Sequence, residues 1–201
     1  MKTVVALGDS TTAGTPLFRS PLEAPPDGDG DPHSQFAWWL MAARPDWRVL
    51  NRGVNGERSD QIAARFDRDV LAERPDAVII IAGVNDVYQG RSVATVTSVL
   101  RDLYDRAARA GIPVVAGSIV PYNTASPAAC QAMRAINAWI EAEADRDLNL
   151  TYVNTRAAAA SANDPDRLAS SPDDLHPDID GYRRMARVLA PALAGRLDKR
   201  I

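Results

Sequence analysis

The sequence has a single cysteine, Cys130, two histidines, His33 and His176, and two lysines, Lys2 and Lys199. One cysteine cannot close an internal disulfide, and no cysteine–histidine grouping has metal-ligand spacing, so no metal and no oxidising compartment are expected. Long apolar runs are also missing. Met1–Leu7 turns at Gly8-Asp9 after too few apolar residues for a signal-peptide core. No segment approaches the ~18 uninterrupted apolar residues of a membrane span, so a cytoplasmic protein with no membrane span is expected. Nor is there an excess of positive charge. Lys and Arg number 23 against 26 Asp and Glu, a formal charge of −3, and Arg and Asp are interleaved along the amphipathic stretches. Nucleic acid and other polyanions are not expected partners.

What the chain does contain is ordinary globular material: 201 residues, 46% hydrophobic and 24% charged, enough for one α/β domain over residues 1–201. Short apolar runs alternate with amphipathic stretches, the pattern of a parallel sheet flanked by helices. The expected strands are Thr3–Leu7, Arg48–Asn51, Ala77–Ala82, Pro113–Gly117 and Thr151–Asn154. Ala77–Ala82 is continuously apolar, as a central strand covered on both faces would be. Helical stripes run through Ile62, Phe66 and Val70; through Val93, Val96, Leu100, Leu103 and Ala107; through Ala132, Ile136, Trp139 and Ile140; and through Tyr182, Met185, Leu189, Leu193 and Leu197. Their expected role is core packing. Residues 15–34, rich in Pro, Gly and Asp, read as a long loop that could shape a pocket or mediate self-association into a homo-oligomer. Trp38 and Trp39, just after it, read as core packing, with a sugar- or aryl-facing position as the alternative.

Four blocks carry chemistry, and three directly follow expected strands, where open α/β sheets bind ligands. In Gly8-Asp9-Ser10-Thr11-Thr12, Ser10 starts a helix, whose free N–H groups favour developing negative charge; a plain helix cap reads the same way. In Asn51-Arg52-Gly53-Val54-Asn55-Gly56 the glycines permit a tight turn that can aim a backbone N–H at a ligand. Asn-Gly is also an everyday turn. In Gly83-Val84-Asn85-Asp86 a neutral amide can donate into the crevice, or simply occupy a turn. In Asp173-Asp174-Leu175-His176-Pro177 a carboxylate three residues before a histidine can orient the imidazole of a general base.

Taken together and in this order, the blocks resemble the SGNH hydrolases, the GDSL-type esterases and lipases, and the resemblance covers the whole chain. It implies a single-domain flavodoxin-like three-layer α/β/α fold with a five-stranded parallel sheet in order 2-1-3-4-5. It implies Ser10 as nucleophile, Gly56 and Asn85 as oxyanion donors beside the Ser10 N–H, and Asp173 with His176 as the acid–base pair. There are departures. Thr11 stands where Leu is usual, Glu57-Arg58 replaces a frequent Asp-Thr, and Asp174 sits where Gly is common. The expected activity is hydrolysis of a small-molecule carboxylic ester without cofactor. A short-chain or acetyl ester is favoured, with residues 15–34 setting the size limit. Acyl transfer to an alcohol through the same residues is the nearest alternative. A non-catalytic receiver-like module is disfavoured, because Gly83 and Asn154-Thr155 stand where it would need Asp and Lys.

Overall fold

The computed structural model describes residues 1–198. Among these, five strands form one parallel sheet: β1 (Lys2–Gly8), β2 (Trp47–Gly53), β3 (Ala77–Ile81), β4 (Val114–Gly117) and β5 (Leu150–Val153), in spatial order β2-β1-β3-β4-β5. The α/β class and the strand order match the expectation. Parallel neighbours need long crossovers. These are supplied by α1 (Ser10–Ala13), α2 (Phe36–Ala43), α3 (Ser59–Ala64), α4 (Phe66–Asp69), α5 (Val84–Tyr88), α6 (Val93–Arg109) and α7 (Pro127–Ala144), while α8 (Thr155–Ala159) and α9 (Ile179–Leu197) follow the last strand.

The strands alternate between two cores. Val5 and Leu7 pack with Ile62, Phe66, Leu100 and Met133 on one face. Val4 and Ala6 pack with Phe36, Leu40, Tyr182 and Leu189 on the other. Every residue of β3 is buried, as its unbroken apolar run requires. Burying each large aliphatic or aromatic side chain is worth ~1.5–3 kcal/mol, so coverage of both faces is what holds the sheet. Strand ends shift by a residue or two. Pro113 lacks the N–H that would extend β4, though its carbonyl accepts the Val78 N–H at 3.0 Å. Asn154 leaves β5 to cap α8, its Oδ1 accepting the Ala157 N–H at 2.9 Å.

Register brings three of the four blocks side by side. Gly8 at the end of β1 pairs with Gly53 of β2 and with Ile81 of β3, so the chain leaves all three strands at one level. The two glycines are there because α1 crosses directly over this row. A Cβ on Gly8 would lie 2.1 Å from Thr12 Oγ1 and 2.4 Å from the Ile81 carbonyl oxygen, and one on Gly53 would lie 2.1 Å from the Ala13 nitrogen. Asn51 fastens α1 from below, its amide donating to the Ala13 carbonyl at 3.0 Å and to Gln35 Oε1 at 2.8 Å.

The stripe Ile62, Phe66, Val70 is fully buried but is not one helix. The chain breaks at Arg65 (φ −103°, ψ 6°), and a 3₁₀ turn at Leu71–Glu73 follows α4. The cause is that Arg65 turns inward. Its guanidinium donates to the carbonyls of Gly8 and Arg52 and pairs with Glu57 and Asp69.

The 15–34 segment is ordered by local pairing. Phe18–Arg19 pairs antiparallel with Asp29–Gly30, and Pro32–Ser34 makes a 3₁₀ turn. Trp38 and Trp39 are only partly buried. They lie tilted against His33, with ring centroids 4.3 and 5.7 Å away, so full core burial was not the outcome. No helix among the described residues is long and apolar enough to cross a membrane.

Candidate active site

At the level set by Gly8, the Asp9 carboxylate caps α1, its Oδ1 accepting the Thr11 N–H at 3.0 Å, and Ser10 becomes the first helical residue. Ser10 is 3% exposed. The fourth block arrives from the far end of the chain. His176 Nε2 lies 2.8 Å from Ser10 Oγ, and His176 Nδ1 lies 2.7 Å from Asp173 Oδ2. The other Asp173 oxygen accepts the backbone N–H groups of Leu175 at 3.0 Å and His176 at 2.9 Å. Burial pushes the Asp173 carboxyl up, but the His176 ring and these two N–H groups outweigh it and hold the group below the ordinary carboxylate range. Asp174, between them, has φ 63°, the left-handed conformation that favours the Gly common at this position. Asn123 holds it there, its N–H donating to the Asp174 carbonyl at 2.7 Å and its amide to Oδ1 at 3.1 Å.

Asp9 differs electrostatically from Asp173. It is 1% exposed and its Oδ2 has no hydrogen-bond partner. Burial pushes its pKa up to about 7, against the lowering effect of the Thr11 N–H and with help from the nearby Asp86 charge.

Asn85 lies in the first turn of α5, and its amide donates to the Glu57 carbonyl at 3.0 Å. That bond uses one amide hydrogen and leaves the other for the crevice. A cavity of about 170 Å³ holds Ser10, His176 and Asn85 together, walled by Asn55, Tyr88 and Tyr122 among others. Gly56 sits beside Asn55 on the exposed turn with φ 76°, adjoining the cavity rather than lining it. So Ser10, Asp173, His176 and Asn85 converge, with Gly56 one residue behind the wall.

One expectation is overturned. No residue of 15–34 lines this cavity. The segment instead braces the turn behind it: Ser20 Oγ donates to the Gly53 carbonyl at 2.6 Å and Glu23 Oε1 accepts the Asn55 N–H at 2.9 Å. The cavity walls come from α5, the Asn55 turn, the chain after β4 and the Leu175–His176 segment, not from that loop. Tyr88 and Tyr122 went unread in the sequence. Tyr122 follows a strand end as the first three blocks do, which is the signal that marks it. A larger concavity of about 610 Å³ lies between α2 and α9, walled by Trp39, Ala186, Pro191 and three arginines. It holds none of the four blocks, so size does not identify the site. Among the described residues no group of three His, Cys, Asp or Glu side chains is placed to hold a metal ion.

The chain matches the GDSL-like Lipase/Acylhydrolase family over residues 6–184. It is 28% identical over 163 residues to an acetylxylan esterase from Geobacillus stearothermophilus, covering 74% of each chain. Its fold resembles a GDSL-like lipase from Bacteroides thetaiotaomicron VPI-5482 (TM-score 0.77, 22% identity, 96% of this chain and 88% of that one). It also resembles a solved acetylxylan esterase from Geobacillus stearothermophilus (TM-score 0.73, 22% identity, 98% and 94%). With the match spanning all four blocks, the chain belongs to the GDSL-like lipase/acylhydrolase family and is a carboxylic ester hydrolase.

Proposed function

We propose that residues 1–201 act as one catalytic unit that hydrolyses small carboxylic esters, acetyl or short-chain, through an acyl-serine intermediate. The observation that carries this reading is the unbroken chain Asp173–His176–Ser10, with contacts of 2.7 and 2.8 Å, opening into the cavity that also holds Asn85. Ser10 Oγ attacks the ester carbonyl while His176 Nε2 takes its proton, and Asp173 stabilises the imidazolium at Nδ1. The tetrahedral oxyanion is met by the backbone N–H groups of Ser10 and Gly56 and by the free amide hydrogen of Asn85. Protonated His176 returns the proton to the departing alkoxide, leaving acyl-Ser10. Water then attacks the acyl carbon while His176 removes its proton, and collapse releases the acid and restores Ser10. The scheme calls on no cofactor.

The small acyl group is supported by the cavity. At about 170 Å³ it is below the ~300 Å³ at which ligand pockets usually begin. A long acyl chain would also forgo ~0.8 kcal/mol for each methylene left unburied. Similarity to an acetylxylan esterase supports acetylated sugars as candidates. The test is the chain-length profile of kcat/KM on p-nitrophenyl esters, run beside acetylated xylo-oligosaccharides. A maximum between acetyl and butyryl is expected; a profile still rising at octanoyl overturns the size assignment.

A further inference from the structure

The turn carrying Asn55 and Gly56 and the helix carrying Asn85 come from different crossovers, yet both must present donors to one oxygen. They are joined rung by rung. Asn85 donates to the Glu57 carbonyl, Arg58 Nη1 to Gln89 Oε1 at 3.2 Å, and Arg91 Nη2 lies 3.2 Å from Asp60 Oδ2. The remaining rung is buried. Asp86 Oδ2 accepts the Ser59 N–H at 2.7 Å and Asp86 Oδ1 accepts Ser59 Oγ–H at 2.9 Å. Both residues are 0% exposed, and Arg91 Nη1 stands 3.8 Å from Asp86 Oδ1.

The chemistry of α3 explains why Asp86 is needed. A helix start leaves backbone N–H groups unsatisfied, and a side-chain oxygen at the residue before it usually accepts one. That residue is Arg58, whose guanidinium has no acceptor. Asp86 fills the gap from α5. The cap of one element is therefore the immediate neighbour of Asn85 on another.

We propose that Asp86 is a positioning residue: through Ser59 it fixes the 54–58 turn against α5 and so holds the Gly56 N–H and the Asn85 amide at a common point. The proposal rests on the oxyanion roles given above to Gly56 and Asn85. A misplacement of about 1 Å in such a site costs on the order of 10²-fold in rate. The donors act chiefly on the transition state, so the loss falls on kcat and little on KM.

The test uses the full chain with p-nitrophenyl acetate and the variants Asp86→Asn, Ser59→Ala, Ser59→Thr and Asn85→Ala, with Asp86→Asn also combined with Asn85→Ala. Asp86→Asn and Ser59→Ala are expected to lower kcat by about 10–100-fold with KM within about threefold, and Ser59→Thr to retain most of kcat. In the Asn85→Ala background, Asp86→Asn should cost less than in wild type, because one of the two donors it positions is already gone. Should Asp86→Asn fail to fold, Ser59→Ala, which removes only one hydroxyl, carries the same test. Normal kcat in folded Asp86→Asn and Ser59→Ala, beside a large loss in Asn85→Ala, overturns the positioning role alone. Full additivity with Asn85→Ala overturns it as well. Normal kcat in Asn85→Ala removes the oxyanion reading and this proposal with it.

Discussion

The Asp173 carboxylate holds His176 at two points, Oδ2 at the ring Nδ1 (2.7 Å) and Oδ1 at the His176 backbone N–H (2.9 Å). One side chain thus fixes both the position of the residue and the orientation of its ring, leaving Nε2 aimed at Ser10. Asp173→Asn keeps only one acceptor oxygen for these two tasks. With that oxygen on the backbone N–H groups, its NH₂ faces Nδ1, which must also donate, and the ring orientation is lost. A loss of about 10²–10⁴ in kcat is expected in folded protein. A loss smaller than tenfold would contradict the orienting role.

Asn85→Ala removes a side-chain donor without touching the nucleophile. The expected result is kcat lower by about 10²–10³ with KM changed much less, read from steady-state kinetics. A rise in KM at constant kcat would instead place Asn85 in ground-state binding.

Asp9 makes stability fall as pH rises. Its folded-state pKa of about 7 lies well above the ordinary carboxyl value of 3.8. The folded chain therefore keeps a proton that the unfolded chain has lost. The contribution is fully present below 3.8 and is lost as pH climbs to about 7. Asp9→Asn cannot ionise. It should melt near wild type at pH 4 and above wild type at pH 8. Parallel Tm curves for the two proteins across that range would show that Asp9 is not held neutral.

Gly53→Ala tests the register row. Its Cβ would meet the Ala13 backbone 2.1 Å away, and backbone cannot swing aside as a side-chain tip can. Destabilisation of at least about 1–3 kcal/mol in chemical unfolding is expected. Gly56→Ala, whose Cβ meets nothing within 4 Å, bears only the strain of φ 76°. Equal stability in the two variants would mean that α1 does not pack as closely as described.

The legible parts of this protein were those encoded locally. Five strand positions followed from short apolar runs, and Ser10, Asn85, Asp173 and His176 stood out through short blocks at strand ends or before α9, His176 being one of only two histidines. What escaped was tertiary. The apolar period runs unbroken through Ile62, Phe66 and Val70, and only the partners waiting for Arg65 show why the helix breaks there. Asp86 caps a helix that begins 27 residues earlier, and Glu23 braces a turn 32 residues later. No local pattern announces such pairings. The composition of 15–34 suggested a pocket wall, whereas its polar residues serve as braces.

The central claim is that Ser10 carries the acyl group, and covalent labelling tests it most directly. Incubation with a fluorophosphonate probe, followed by intact-mass and peptide mapping, should show one adduct per chain, on Ser10. The adduct should be absent in Ser10→Ala and strongly slowed in His176→Ala. Labelling that persists in folded Ser10→Ala protein, or that maps to another residue, contradicts the account.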